Sequence, residues 1–92
     1  MDIDKQNTGS SEWSESIKKY LMERKKIHAL SYPQISARLA VLGTIQSPEN
    51  LSRKFNRGSL SAQLFVTTLM AMEDESINLK KLKSIYEEIA SR

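Results

Sequence analysis

An all-α fold of five short helices is what the 92-residue sequence predicts, and three observations predict it. Apolar residues recur at three- and four-residue steps, and no stretch alternates with the two-residue period of a half-buried strand. A serine followed within two residues by proline occurs twice, at Ser31-Tyr32-Pro33 and at Ser47-Pro48, and each is a helix-start signal. Apolar residues make up 39% of the chain, enough for one small core and not for two, so the helices must pack as one compact unit.

Taken in order, residues 1–10 are polar and rich in Asn, Thr, Gly and Ser, the composition of a disordered tail. The first helix follows in SSEWSESIKKYLMERKKI, where Trp13, Ile17, Tyr20, Leu21 and Arg24 share a face. Ser11 is its expected cap, with Glu12 and Glu15 near the positive end of the dipole and Lys25 and Lys26 near the negative end. Ser31 caps a second helix whose buried stripe is Ile35, Leu39 and Leu42, with Gly43 as terminator. Its small residues Ser36, Ala37 and Ala40 are available for close packing. Ser47 caps a third helix, held inward by Leu51 and Phe55 and ended by Gly58. A fourth begins near Ser59 or Ser61, with Leu64, Phe65, Leu69 and Met72 inward. After Glu73-Asp74-Glu75, Ser76 or Asn78 caps a fifth helix carrying Leu79, Leu82, Ile85, Tyr86 and Ile89. Its early Lys80, Lys81 and Lys83 and late Glu87 and Glu88 run against the dipole, at a cost of a few tenths of a kcal/mol each.

Composition narrows the chemistry. The absence of cysteine excludes disulfides and thiolate metal sites and is compatible with a reducing compartment. The N-terminus is acidic and polar where a signal peptide needs a basic start, and no apolar run approaches membrane-spanning length. A soluble, cytoplasmic protein is expected. His28 is the sole histidine and sits among cations in RKKIHAL, where it reads as a surface or helix-end residue. Glu87 and Glu88 diverge by about 100° on a helix, too far to share a metal or a proton. Three glycines, all far apart, make no phosphate-cradling loop. No enzyme, cofactor, metal or small-molecule substrate is expected. Trp13, Tyr20 and Tyr86 fall in phase with apolar stripes, so packing is favoured for them over stacking on bases.

The net charge of +3 conceals a polarised distribution. From Ser16 to Met72 there are nine basic residues against two acidic ones, a net +7, while both ends of the chain are acidic. Such a centre suggests a polyanionic partner. Within it, NLSRKFNRGSL places Arg53, Lys54 and Arg57 on about two turns of helix with no acid from Asn50 to Leu60. Leu51 and Phe55 point inward, Arg53 and Arg57 lie most nearly opposite, Asn50 and Asn56 lie beside them, and Lys54 is on a flank. Arginine and asparagine are the side chains that pair bidentately with guanine and adenine edges in the major groove.

These residues carry a resemblance. From Ile17 to Leu69 the chain resembles the lambda-repressor-like helix-turn-helix domains, the XRE or Cro/repressor type. It supplies YLMERKKI, then SYPQISARL, then RKFNRG with Phe55 and Gly58, then SLSAQLFVTTLMAM. It is similar also to a bacterial domain of unknown function with an RGxFSAxFF-like motif, matched by Arg57-Gly58 and by Ser61 to Phe65, with Leu60 where Phe is usual. Tyr32 stands where the repressor pattern has glutamine, the apolar anchor of helix three is Leu51 where that pattern would place it at Ser52, and VLGTIQSPEN is longer than its tight turn.

The resemblance implies a compact five-helix helix-turn-helix fold, with residues 11–75 as the DNA-binding domain and 76–92 as a C-terminal helix. It implies sequence-specific binding to double-stranded DNA by a small bacterial or mobile-element transcriptional regulator associated with the nucleoid. Asn50, Arg53 and Arg57 would then meet bases, and Gln34, Lys54 and Ser59 phosphates. Glu49 is either a cytosine acceptor or a first-turn acid. Leu79, Leu82, Tyr86 and Ile89 form a stripe that packs on the domain or at a homodimer interface. The competing expectation is a non-enzymatic adaptor whose basic central helices bind an acidic protein.

Overall fold

A computed structural model of the chain describes residues 10–92. Five helices follow one another: α1 (Ser10–Ile27), α2 (Tyr32–Val41), α3 (Pro48–Arg57), α4 (Ala62–Ala71) and α5 (Leu79–Ala90). No strand occurs among the described residues. The expected tail, residues 1–10, lies outside them except for Ser10, where α1 begins. Ser11 is therefore inside the first turn and is not its cap.

The other starts follow the local chemistry of the sequence. Ser31 and Gln34 form a reciprocal capping box at α2, the Ser31 hydroxyl accepting from the Gln34 N–H while the Gln34 carboxamide accepts from the Ser31 N–H at 2.8 Å. Ser47, Ser61 and Asn78 accept from the backbone N–H three residues on at α3, α4 and α5. Gly43, at φ +86°, ends α2 in a Schellman turn in which the Thr44 N–H reaches Leu39 O at 2.9 Å. Two helices use the same turn without glycine: Ala29 after α1 and Glu73 after α4 take φ +55° and +67°. Left-handed backbone is costly for residues with a β-carbon, so tertiary contacts must hold both ends in place.

α1 is the central element. It packs on α3 along one side and on α5 along another, while α2 packs on α3 and α4. Tyr20 and Leu21 from α1, Leu30 from the turn after it, Ile35 and Leu39 from α2, Leu51 and Phe55 from α3, Leu64, Leu69, Ala71 and Met72 from α4 and its end, and Leu82, Ile85 and Ile89 from α5 form one core. Burying about fourteen apolar side chains at ~1.5–3 kcal/mol each is what opposes the chain's conformational entropy.

Several positions differ from the sequence reading. Leu42 is half exposed because Gly43 turns the chain away before the apolar stripe of α2 is complete. Ala37 and Ala40 face outward, and of the three small residues of α2 Ser36 makes the contact: its hydroxyl donates to Gln46 O at 2.6 Å and ties the α2–α3 linker down. Phe65 is half buried and packs against the core beside the fully buried Thr68. Trp13 is 41% exposed, yet its ring stacks on Tyr86 at a centroid distance of 3.9 Å and 11° between planes. Among Leu79, Leu82, Tyr86 and Ile89, the second and fourth are buried in the chain's own core, Tyr86 meets Trp13, and Leu79 stays exposed.

Candidate nucleic-acid interface

α3 enters on Ser47 and Pro48 and leaves on Gly58, so its length is fixed at both ends by local chemistry. Leu51 and Phe55 are completely buried, and Phe55 meets the Tyr32 ring edge-on at 5.3 Å. Those two anchors set the rotation of the helix about its axis. With them inward, Arg53, Asn56 and Arg57 are exposed, and Asn50 and Lys54 are half buried on the flanks. The Arg53 guanidinium donates to the Asn50 carboxamide one turn earlier, joining two of the three expected base-contact residues into one surface unit. Asn56 instead donates to Ser52 O at 2.9 Å.

The residues expected at phosphates are spread around this helix. Lys54 lines a cavity of about 200 Å³ with Thr44 and Gln46 of the linker and Ser61, Gln63 and Leu64 at the start of α4. The side chain thus borders a cavity shared with the N-terminal end of α4, where the helix dipole favours an anion. Ser59 is exposed just past α3, its N–H committed to Lys54 O at 3.3 Å. Gln34 is exposed at the start of α2, with its carboxamide oxygen used in the capping box.

Tyr32 has a structural use. Tyr32 packs on Phe55, donates to Met22 Sδ at 3.6 Å, and carries Lys25 Nζ over its ring at 4.5 Å from the centroid. Burial pushes its phenol pKa up, against the smaller opposing effect of a hydrogen bond to Ser52. Tyr32 is thus a joint between α1, α2 and α3.

Electrostatics divide the basic centre into two groups. Lys19 pairs with Glu88 at 3.3 Å, Arg38 with Glu73 at 3.7 Å, and Arg24 with Asp74. Arg53, Lys54 and Arg57 pair with no carboxylate among the described residues. Lys18, Lys25 and Lys26 of α1 are likewise unpaired among the described residues, and α3 is distinguished by carrying three such cations within about one and a half turns.

A second polar cluster was not legible as such in the sequence. Asp74, whose side chain is 6% exposed, accepts from Arg24 Nε at 3.0 Å and from Arg24 Nη2, and lies 2.9 Å from His28 Nε2. Hydrogen bonding to Arg24 holds the Asp74 carboxyl below the usual carboxylate range, with burial working against it and His28 assisting. The same contact raises the Arg24 guanidinium further above its ordinary value. His28 is a helix-end histidine, as its sequence suggests, but it is fastened to a near-buried acid from the loop after α4. That loop reads from sequence as a solvated acidic run; the signal inside it was only that Arg24 falls on the core face of α1.

Residues 13–77, which run from the first turns of α1 through the loop before α5, match the family described as domain of unknown function DUF6471, and the chain belongs to that family. No curated protein and no solved structure matches the chain.

Proposed function

We propose that this protein binds double-stranded DNA sequence-specifically through a lambda-repressor-like helix-turn-helix unit formed by α2 and α3, and acts as a small transcriptional regulator at the nucleoid. One observation carries the reading. α3 directs Arg53, Arg57 and Asn56 to solvent with Asn50 and Lys54 at the flanks, and no acid among the described residues neutralises its cations. Cations on a short helix repel one another and are retained at least cost where an anion lies against them. The accompanying amide side chains are suited to base edges.

The packing of α2 on α3 supports this assignment, as does the end of α3 at a left-handed Gly58. In this reading α3 enters the major groove, with Asn50, Arg53 and Arg57 toward bases. Lys54, Ser59 and the Gln34 amide take phosphates on either side. The α2–α3 linker, residues 42–47, is longer than a tight turn but is held to α2 through Ser36, so the two helices can still move onto a groove as a unit.

Selection from random duplex DNA, followed by binding measurements at two salt concentrations, tests the proposal. DNA binding predicts an enriched site and a linear fall of log K with log salt, its slope set by the phosphates neutralised. Failure to enrich any duplex, with binding confined to an acidic protein, would establish the adaptor reading instead.

A further inference from the structure

We infer that the apolar ledge shared by the α2–α3 linker and the outer face of α4 is a homodimer interface, closed by a second copy of this chain across a two-fold axis. Among the described residues, large apolar side chains left exposed gather here: Val41 at 87% exposure, Leu42, Val66 and Met70. Val41, Leu42, Met70 and Ala71 line one groove of about 300 Å³, and Val66 and Met70 line the neighbouring one. The patch is therefore continuous across two elements. An isolated exposed leucine or valine needs no explanation, but a cluster on adjoining elements marks an interaction surface.

Its rim identifies the occupant. The groove is flanked by Arg38 and Glu73, an exposed pair of opposite charge at 3.7 Å. A two-fold axis that crosses the line from Arg38 to Glu73 sets Arg38 of one copy against Glu73 of the other and the reverse, the reciprocity of an isologous contact. The face of α3 would repel its own twin through Arg53, Lys54 and Arg57, and the apolar stripe of α5 is largely consumed by the chain's own core. The ledge is both apolar and self-complementary. DNA gains little from apolar side chains at its phosphates, so this surface serves a different partner from α3.

This inference does not require DNA binding. Where both hold, the linker runs from the interface straight into Ser47, so the axis lies beside the two α3 helices and pairs half-sites.

Sedimentation equilibrium of the full chain from low micromolar to near-millimolar concentration tests it. A reversible dimer is expected. Val41→Glu with Met70→Glu, both at exposed positions, should keep the native far-UV circular dichroism and raise the dimer dissociation constant at least tenfold. Arg38→Glu and Glu73→Arg should each weaken self-association, while an equimolar mixture of the two variants should form heterodimers. A wild-type chain that stays monomeric throughout overturns the inference. So does a dimer unaffected by the Val41 and Met70 changes, or one abolished by Leu79→Glu in their place.

Discussion

A β-carbon added to Gly58 would stand 1.7 Å from the carbonyl oxygen of Ser14, so the end of α3 touches the backbone of α1 directly. Gly58 also lies in the left-handed region at φ +62°. The close approach leaves no room for a β-carbon, and the left-handed backbone adds strain for any residue that has one. The contact fixes the exit of α3 against the longest helix of the fold and so sets the tilt of the face bearing Arg53 and Arg57.

Gly58→Ala should accordingly destabilise the protein by more than ~2 kcal/mol, through backbone strain together with forced separation of α1 and α3. Urea unfolding followed by circular dichroism reads this directly. Gly43, also at positive φ but with open space around its α-carbon, serves as the control: Gly43→Ala carries only the conformational cost of about 1 kcal/mol. Equal losses at the two positions would contradict the close approach.

At α3 itself, Arg53→Ala should cost about 1–3 kcal/mol on the preferred DNA site and relax preference at one base position. Lys54→Ala should weaken all sequences alike and reduce the salt slope by about one. Fluorescence anisotropy with the selected duplex and a scrambled one separates these outcomes. Unchanged binding by the Arg53 variant would mean that α3 does not face the bases in this way.

Asp74 gives the fold a specific acid sensitivity. Its native pKa is depressed by Arg24, so the stability it contributes is complete above the ordinary carboxylate value of about 3.9 and is lost as pH falls through the lower native value. Asp74→Asn should destabilise by about 2 kcal/mol at neutral pH, since it removes a charge-assisted acceptor and leaves the partly buried Arg24 poorly paired. As pH falls through the depressed native value of Asp74, the variant and the wild type should converge. Thermal unfolding at a series of pH values checks this, and a constant difference across the series would exclude the ionic account.

Thr68 is completely buried on α4, and its hydroxyl has no partner among the described residues. Replacing it with the near-isosteric valine removes an unsatisfied polar group at little change in shape. Thr68→Val should stabilise the protein by about 1 kcal/mol, measured as a higher urea midpoint at unchanged slope.

The five helices, and the starts of the last four, were legible because local chemistry governs them; α1 begins ahead of its expected cap, Ser11. Ser31, Ser47, Ser61 and Asn78 cap where short side-chain acceptors reach orphan N–H groups, and Leu51 with Phe55 orient α3 by spacing alone. What depends on distant segments was not legible. Asp74 joins His28 across 46 positions, and no pattern within EDES marks that acid out from its neighbours. Ala29 and Glu73 end helices in backbone normally given to glycine, so composition conceals both turns. Tyr32 reads as a lost glutamine until Phe55, Met22 and Lys25 are found around it. The stripe of α5 shows its periodicity in sequence, but whether Leu82 and Ile89 serve their own chain or another depends on how tightly α1 receives them.

The stack between Trp13 and Tyr86 has a practical consequence. The chain holds a single tryptophan, and its indole lies flat on a ring from the last helix, beyond the segment shared with the family. Its emission is therefore a built-in optical gauge of whether that helix is seated, separable from the backbone signal of the other four and requiring no attached dye.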